Sequence, residues 1–242
     1  MSSRPLVLLF DIDGTLLTTG GVGMRALARA FEELYGRPDA MSGFRLDGMT
    51  DGVIIRQALT AIGQPASSES VEAVLERYLS VLGEEISRAS DSAYYLHPGM
   101  LEALAAAEQR PQTAVGLGTG NVRAGARLKL ERVNVFHRFA FGGFGCDHDD
   151  RAELIRAGAV RGASALGAPL SECRVVVIGD TPKDVAAAKA IGAECVGVGT
   201  GRFTPEELLA AGAEHAFPSL ASPGALESLL GRTRATGAGP VE

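Results

Sequence analysis

Three features are scarce in this sequence, and each scarcity narrows the class of protein. The 242 residues contain only three cysteines, Cys146, Cys173 and Cys195, which are widely spaced and form no Cys-x-x-Cys pair. We therefore expect neither a zinc site nor a disulfide framework, but reduced thiols that are mostly buried. The chain also lacks a run of lysine or arginine and carries a formal net charge of −6. Binding to nucleic acid through its phosphates is therefore not expected.

Long apolar runs are missing as well. The run that precedes Asp11, Leu6–Phe10, is too short for the core of a signal peptide or for a membrane span. We therefore expect a cytoplasmic protein that has no membrane partner. What is present is an ordinary globular composition, with 46% hydrophobic and 21% charged residues. The length allows one large domain, or one domain with an insert.

The N-terminal apolar run predicts a buried strand of a parallel sheet, and two carboxylates, Asp11 and Asp13, follow it. Because side chains alternate along a strand, both carboxylates start out on the same side, and Gly14 lets the chain turn away. The carboxyl edge of an open α/β sheet is where ligands bind. Two like charges this close need a metal ion or a shared proton. A turn or a helix cap is the alternative interpretation of these two acids taken alone.

Hydrophobic periodicity divides the rest of the chain in two. Apolar residues at helical spacing predict helices over about 22–36, 50–62 and 68–88, and no strand pattern occurs between residues 20 and 95. From His97 onward strands and helices alternate, which predicts an α/β fold with a doubly wound parallel sheet. We therefore predict an α/β core of residues 1–18 and 97–242, an all-helical insert of residues 19–96, and a flexible tail over 233–242.

Three later stretches place polar side chains near the ends of predicted strands. Thr119, Gly120 and Asn121 follow one strand, at a turn that suits an anion or a plain helix cap. Arg151 opens a helix after an acidic loop, where it either neutralises charge in the site or pairs with the neighbouring acids. Asp180 follows the strand 173–179, and Asp184 lies one turn into the next helix.

Together these four motifs resemble those of the haloacid dehalogenase superfamily, and the resemblance covers most of the chain. The matching residues are Asp11 to Thr15, then Thr119, then Arg151, then the run from Gly179 to Asp184. The helical insert resembles the family's small α-helical (C1-type) cap domain, and the chain is most similar to the phosphoglycolate-phosphatase-like members. One departure concerns the third motif, where the family usually has lysine and this chain offers arginine, a planar fork instead of a point charge.

The resemblance implies a division of roles among the motif residues. Asp11 would be the nucleophile, and Asp13 the general acid and base. Thr119, with Gly120 and Asn121, would hold the transferring phosphoryl group, and Arg151 would balance its charge.

The same resemblance implies a cofactor and a specificity loop. Mg²⁺ would be bound by Asp11, by the main-chain carbonyl of Asp13 and by Asp180, with Asp184 supporting these ligands. In the cap, Gly48 and Thr50 belong to the loop that would contact the substrate.

The implied function is a Mg²⁺-dependent phosphomonoesterase for a small phosphorylated metabolite, of the phosphoglycolate or sugar phosphate class, acting through an aspartyl-phosphate. A phosphomutase that resembles β-phosphoglucomutase and uses the same intermediate is the alternative. A catalytically silent protein is a third possibility, which would require a lost motif residue, and none is lost. The sequence leaves monomer and homodimer open.

Overall fold

The structure is a computed structural model that describes residues 4–231. Its strands are β1 (Leu6–Phe10), β2 (Leu17–Thr18), β3 (Tyr95–Leu96), β4 (Thr113–Gly118), β5 (Phe141–Gly143), β6 (Arg174–Gly179), β7 (Glu194–Val198) and β8 (His215–Phe217). Its helices are α1 (Val22–Tyr35), α2 (Asp51–Ala61), α3 (Ser68–Arg88), α4 (Met100–Gln109), α5 (Arg123–Arg132), α6 (Arg151–Ala165), α7 (Pro182–Ala190), α8 (Pro205–Ala211) and α9 (Ala225–Leu230). The tail predicted for residues 233–242 lies outside the described residues.

Six strands form one parallel sheet in the order β5-β4-β1-β6-β7-β8, and the predicted doubly wound α/β fold is confirmed. Alternate residues of β1 pack into two different apolar clusters, Leu8 and Phe10 on one face and Val7 and Leu9 on the other. Burial on both faces explains why this strand is a continuous apolar run and does not alternate with polar residues.

The register of the central strands decides where the site lies. Phe10 pairs with Leu117 of β4 and with Ile178 of β6, so the three strands end at nearly the same level. The residues that follow them therefore meet at one edge of the sheet, as expected for an open parallel sheet.

The segment between β2 and β3 contains the three helices that the apolar spacing predicts. β2 and β3 pair antiparallel, so the two chain connections to this segment run side by side. Gly36, in a left-handed conformation, ends α1, while Thr50 and Ser67 cap α2 and α3. Helix α3 packs against α1 and also against α5 of the sheet domain, within one apolar cluster. The helical segment therefore lies directly on the core; its assignment as a domain of residues 19–96 stays a prediction.

Over residues 4–231, no helix combines the length and the apolar character that crossing a bilayer requires.

Candidate active site

Three buried carboxylates meet at the carboxyl edge of the sheet. Asp11 follows β1, Asp180 follows β6, and Asp184 lies in the first turn of α7. Each offers an oxygen that lies within 4.8 Å of the others. Burial raises the pKa of Asp11 to about 6, against the lowering effect of Arg151. Burial and the other two carboxylates also raise the pKa of Asp180. Three carboxylates beside a single arginine leave an excess of negative charge, and such a cluster of oxygen donors fits Mg²⁺, which prefers these ligands.

Arg151 is the cation of this cluster. Helix α6 begins at Arg151 because the Asp150 carboxylate caps it, accepting a hydrogen bond from the Ala152 N–H at 2.7 Å. The Nη2 atom of Arg151 lies 2.6 Å from Asp184 Oδ1 and 3.0 Å from Asp11 Oδ2. Burial by itself would lower the pKa of Arg151, but Asp184 and Asp11 raise it, so the group stays charged. The structure thus brings a cation to Asp11 from the helix where the sequence predicts one.

The Asp184 carboxylate is already saturated with hydrogen bonds. Its Oδ1 accepts from Nε and Nη2 of Arg151 at 3.0 and 2.6 Å. Its Oδ2 accepts from the backbone N–H of Thr181 at 3.1 Å and from the Thr181 hydroxyl at 2.7 Å. The Asp184 N–H donates back to Thr181 Oγ1 at 3.3 Å, which completes the capping box of α7. Asp184 therefore holds Arg151 in place, while Asp11 and Asp180 retain oxygens for a metal ion.

Asp180 is held by a hydrogen bond from Thr15 and lies against two glycines. Its Oδ1 accepts a hydrogen bond from the Thr15 hydroxyl at 2.8 Å. A Cβ at Gly14 or at Gly201 would overlap the Asp180 carboxylate, so both positions need glycine for this close approach. Gly14 also has a φ of 83°, the left-handed conformation that lets the chain turn after Asp13.

Asp13 points away from the three-carboxylate cluster, into a different environment. Its Oδ2 accepts hydrogen bonds from Lys129 Nζ at 2.6 Å and from Asn121 Nδ2 at 2.8 Å. Asn121 in turn accepts from Lys129 through Oδ1 at 2.6 Å, so the three side chains form a closed triangle. Consequently the Asp13 side chain is not part of the metal cluster, and only its main-chain carbonyl remains as the expected metal ligand. The Asn121 amide, predicted to bind substrate, is engaged in positioning Asp13.

Lys129 is a site residue that sequence reasoning missed. Its side chain is only 4% exposed, although it lies in the last turn of α5 and outside every motif. A signal does exist in the sequence: Ala126, Lys129 and Leu130 all lie on the buried face of this helix. A lysine buried on the apolar face of a helix needs an anionic partner, and here the partner is Asp13, whose side chain is 43% exposed.

The turn from β4 into α5 carries the predicted phosphate-binding residues. Thr119 Oγ1 accepts two hydrogen bonds from Asn121, from its backbone N–H at 3.3 Å and its Nδ2 at 3.0 Å. The threonine proton is therefore left to be donated toward the cavity. Gly120 lies beside it and approaches the backbone of Met49 so closely that a Cβ would overlap the Met49 carbonyl. This contact brings the loop of the helical segment over the sheet edge.

The loop that precedes α2 touches the core at several points. Gly48 has a φ of 63° and its carbonyl accepts a hydrogen bond from Arg151 Nη1 at 3.4 Å. The Asp51 N–H donates to the Gly120 carbonyl at 2.9 Å, and Asp51 Oδ2 accepts from the Val122 N–H at 2.8 Å. Asp51 is buried there, and burial raises its pKa to about 6. The helical segment is thus anchored to the two residues that flank Asn121.

Thr50, which the family resemblance assigns to the loop that contacts the substrate, caps helix α2. Thr50 is buried and does not line the cavity described below. Its hydroxyl accepts a hydrogen bond from the Val53 N–H at 3.3 Å and so caps α2. A threonine that caps a helix and a threonine that binds a substrate look the same in sequence, and the substrate contact of Thr50 stays a prediction. Gly48, in contrast, does line the cavity.

A cavity of about 350 Å³ lies between the sheet edge and the helical segment. Its core side is formed by the predicted residues Asp11, Asp13, Thr119, Gly120, Asn121, Arg151 and Asp180, together with Lys129. Its other side is formed by residues of α1, α2, α3 and the loop before α2. The volume suits a small organic molecule.

These features define an α/β enzyme whose acidic site lies at the carboxyl edge of a doubly wound sheet, beneath a helical insert. A family model described as a haloacid dehalogenase-like hydrolase matches residues 6–192, and the chain belongs to this family of hydrolases. The predicted resemblance is confirmed.

Individual relatives agree with this assignment over nearly their whole length. The curated protein "Probable phosphatase IndB" of Dickeya dadantii (strain 3937) is 28% identical over 233 residues, which cover 90% of this chain and 97% of the relative. A hydrolase structure from Pseudomonas syringae has a TM-score of 0.66 and 23% identity, covering 90% of this chain and 95% of that chain. The structure of CbbY from Rhodobacter sphaeroides in complex with phosphate has a TM-score of 0.69 and 18% identity, covering 92% and 98%. At these identities the two solved structures support the fold alone.

Proposed function

We propose that this chain is a phosphomonoesterase that hydrolyses a small organic phosphate through an aspartyl-phosphate formed on Asp11. The observation that carries the proposal is the separation of two neighbouring acids into different environments. Asp11 lies in the metal-type cluster, 3.0 Å from Arg151, whereas Asp13 is held by Lys129 and Asn121. Two acids with different surroundings are suited to two different roles. The curated relative's name, a phosphatase, agrees with this chemistry.

The first step would transfer the phosphoryl group to the enzyme. A carboxylate oxygen of Asp11 attacks phosphorus and forms the new P–O bond, while the bond to the leaving alcohol oxygen breaks. Asp13 donates its proton to that oxygen, and the alcohol departs. Arg151 and the hydroxyl of Thr119 lie where they can stabilise the charge on the phosphoryl oxygens.

The second step would return the enzyme to its starting state. Asp13, now ionised, takes a proton from a water molecule, and the resulting hydroxide oxygen bonds to phosphorus. The bond between phosphorus and Asp11 breaks, which releases inorganic phosphate and the free carboxylate. Lys129 keeps Asp13 aimed at the leaving group in one step and at the water in the other.

Mg²⁺ is the proposed cofactor, and the residues present fit it. The carboxylates of Asp11, Asp180 and Asp184 bring three negative charges against the single charge of Arg151. When bound, Mg²⁺ would neutralise this excess and the charge of the phosphate. Asp11, the Asp13 carbonyl and Asp180 would hold it, because the oxygens of Asp184 are occupied by Arg151 and Thr181.

Phosphate release separates this function from the alternatives. We expect inorganic phosphate to be released from small phosphomonoesters when Mg²⁺ is present, and release to stop with EDTA and return when Mg²⁺ is added back. A phosphomutase would instead isomerise a sugar monophosphate with little release of phosphate. Release that EDTA does not affect would contradict the proposed metal, and no turnover of any kind would point to a silent protein.

A further inference from the structure

The two walls of the active-site cavity differ in chemistry. The wall that belongs to the sheet domain is polar and charged. The wall that belongs to the helical segment consists of aliphatic and aromatic side chains with two acids, and among the described residues that line it there is no lysine, arginine or histidine. Its side chains are Met24, Leu27, Leu46, Met49, Ile54 and Tyr78, with Thr19 and the acids Asp47 and Asp51.

The cations that reach the cavity come from the core and already have partners. Lys129 contacts Asp13 and Asn121, and Arg151 contacts Asp11 and Asp184. A third, Arg202, lies at the rim, where its side chain is 57% exposed and 3.7 Å from Asp47. Arg45, on the loop before α2, is exposed and does not line the cavity.

We infer that the substrate of this site is a phosphomonoester whose alcohol part is uncharged and presents an apolar face to the helical segment. The inference rests on the proposed function, because it assumes that the phosphate occupies the core side beside Asp11. A second anionic group on the substrate would then lie against apolar side chains and near Asp47 and Asp51. Such a group would lose its hydration without gaining a cationic partner, so a substrate that carries it would bind more weakly than an uncharged one.

This inference narrows the substrate classes that the sequence left open. In phosphoglycolate a single methylene separates the carboxylate from the ester oxygen, and that carboxylate would face the helical wall. A phosphomutase must accommodate a sugar bisphosphate, whose second phosphate would face the same wall. Both are disfavoured, whereas alkyl, aryl or nucleoside monophosphates with an uncharged ring or chain fit the cavity.

Three esters of nearly equal size test the inference with the full-length enzyme and Mg²⁺. Phosphoglycolate carries a carboxylate, hydroxyethyl phosphate replaces it with an alcohol, and isobutyl phosphate replaces it with an isopropyl group of the same shape. We expect kcat/KM for isobutyl phosphate to exceed that for phosphoglycolate at least about tenfold, with hydroxyethyl phosphate between them. Phosphoglycolate as the best of the three would overturn the inference and leave the proposed hydrolysis intact.

A positive charge placed on the helical wall should shift the preference toward phosphoglycolate. Met24 lines the cavity and is 46% exposed, so Met24→Arg can be accommodated without repacking the core. We expect Met24→Arg to raise the ratio of phosphoglycolate to hydroxyethyl phosphate turnover about tenfold, and the matched variant Met24→Gln to leave it near the wild-type value. The ratio within each variant is independent of how much active enzyme is present. Equal ratios in the two variants would overturn the inference.

Binding of phosphonates separates failure of the inference from failure of the proposed function. We would measure, by calorimetry with Mg²⁺, the Kd of 3-phosphonopropionate and of 3-methylbutylphosphonate, which has the same shape without the carboxylate. The expected result is at least about tenfold tighter binding of 3-methylbutylphosphonate, even if no ester is turned over. Tighter binding of 3-phosphonopropionate would overturn the inference, whereas absent turnover with the expected binding order would overturn only the hydrolysis.

Discussion

The two sides of the cavity are built on opposite principles. On the sheet side, the charged groups of the site, apart from Arg202 at the rim, lie within hydrogen-bond distance of a specific partner. These groups come from the ends of neighbouring strands, the first turns of α6 and α7 and the last turn of α5. On the helical side, aliphatic and aromatic side chains form the wall and the charged groups are two acids. The sheet side is therefore suited to a fixed chemical step, because its groups are pre-oriented. The helical side is suited to selecting the part of the substrate that does not react.

If this comparison is right, substitutions on the two sides should have different signatures. Changes on the sheet side should lower turnover of all esters alike. Changes on the helical side should alter the order of esters or the stability of the contact between the two parts.

Asp11→Asn should have the largest effect. The amide cannot serve as a nucleophile, so we expect kcat to fall by about 10⁴-fold or more for every ester. Phosphate release measures the loss, and circular dichroism with the melting temperature checks that the fold is retained. A matched substitution of an acid in the same cavity, Asp47→Asn, should leave kcat within a few-fold of wild type. Comparable turnover in Asp11→Asn and wild type would rule out this nucleophile.

Lys129→Met should produce the next largest effect. Met is an unbranched side chain one atom shorter than Lys and cannot donate a hydrogen bond, so Asp13 would lose its shortest hydrogen bond and its orientation. We expect kcat to fall by about 10²-fold with a small change in KM, in the lower part of the range for lost general acid catalysis. The loss should be greater for alkyl phosphates than for p-nitrophenyl phosphate, whose leaving group needs little protonation.

A control for Lys129 is offered by Tyr94, which precedes β3 and contacts the same helix. The Tyr94 hydroxyl donates to the Lys129 main-chain carbonyl at 2.8 Å, so Tyr94→Phe disturbs the helix without touching the Asp13 contact. We expect Tyr94→Phe to lower kcat for alkyl phosphates and for p-nitrophenyl phosphate by the same factor. Lys129→Arg, which can still donate to Asp13, should retain part of the activity that Lys129→Met loses. An equal loss for alkyl and p-nitrophenyl phosphates in Lys129→Met would assign Lys129 a structural role only.

The same contrast explains how much could be predicted from sequence. Asp11, Thr119 and Asp180 follow strands directly, and parallel pairing brings strand ends together, so linear motifs were sufficient to predict their meeting. The helical wall comes from three helices and a loop, and no local sequence pattern encodes how these elements pack together. Lys129 reaches the site from the last turn of α5, outside the motifs that follow the strands. The short strand β5 (Phe141–Gly143) is also hard to predict from sequence, because Gly142 and Gly143 have little strand propensity. Close packing explains the glycine at 143, where a Cβ would overlap the backbone of α6.

Asp51 tests the contact between the two sides through pH. Burial raises its pKa to about 6, with Lys129 lowering it and Asp13 raising it, whereas an unfolded aspartate titrates near 3.9. Between about pH 4 and pH 6 the folded protein therefore holds a proton that the unfolded chain has released. The stability that Asp51 contributes is fully present below pH 4 and is lost as the pH rises through 6. A shift of about two pKa units corresponds to a change of up to about 3 kcal/mol.

The variant Asp51→Asn removes this proton linkage while retaining an acceptor for the Val122 N–H. We expect its free energy of unfolding, relative to wild type, to increase by up to about 3 kcal/mol between pH 4 and pH 7, as measured by urea denaturation in EDTA. Parallel pH profiles for the two proteins would mean that Asp51 is ionised in the folded state throughout, and that the contact between the helical segment and the core does not depend on its proton.

The smallest effect we expect is the stabilisation of the folded protein by Mg²⁺, which would bind on the sheet side alone. Mg²⁺ at ten times its Kd would stabilise the folded state by about 1.4 kcal/mol, which raises the melting temperature of a chain of this size by about 3–6 °C. Asp180→Asn removes a ligand charge and should abolish this increase, while Asp47→Asn, outside the three-carboxylate cluster, should retain it. Because stabilisation is measured without substrate, the result does not depend on which ester the helical wall selects. An equal increase in all three proteins would place the ion elsewhere, and the sheet side would then lack the cation that its excess of carboxylates demands.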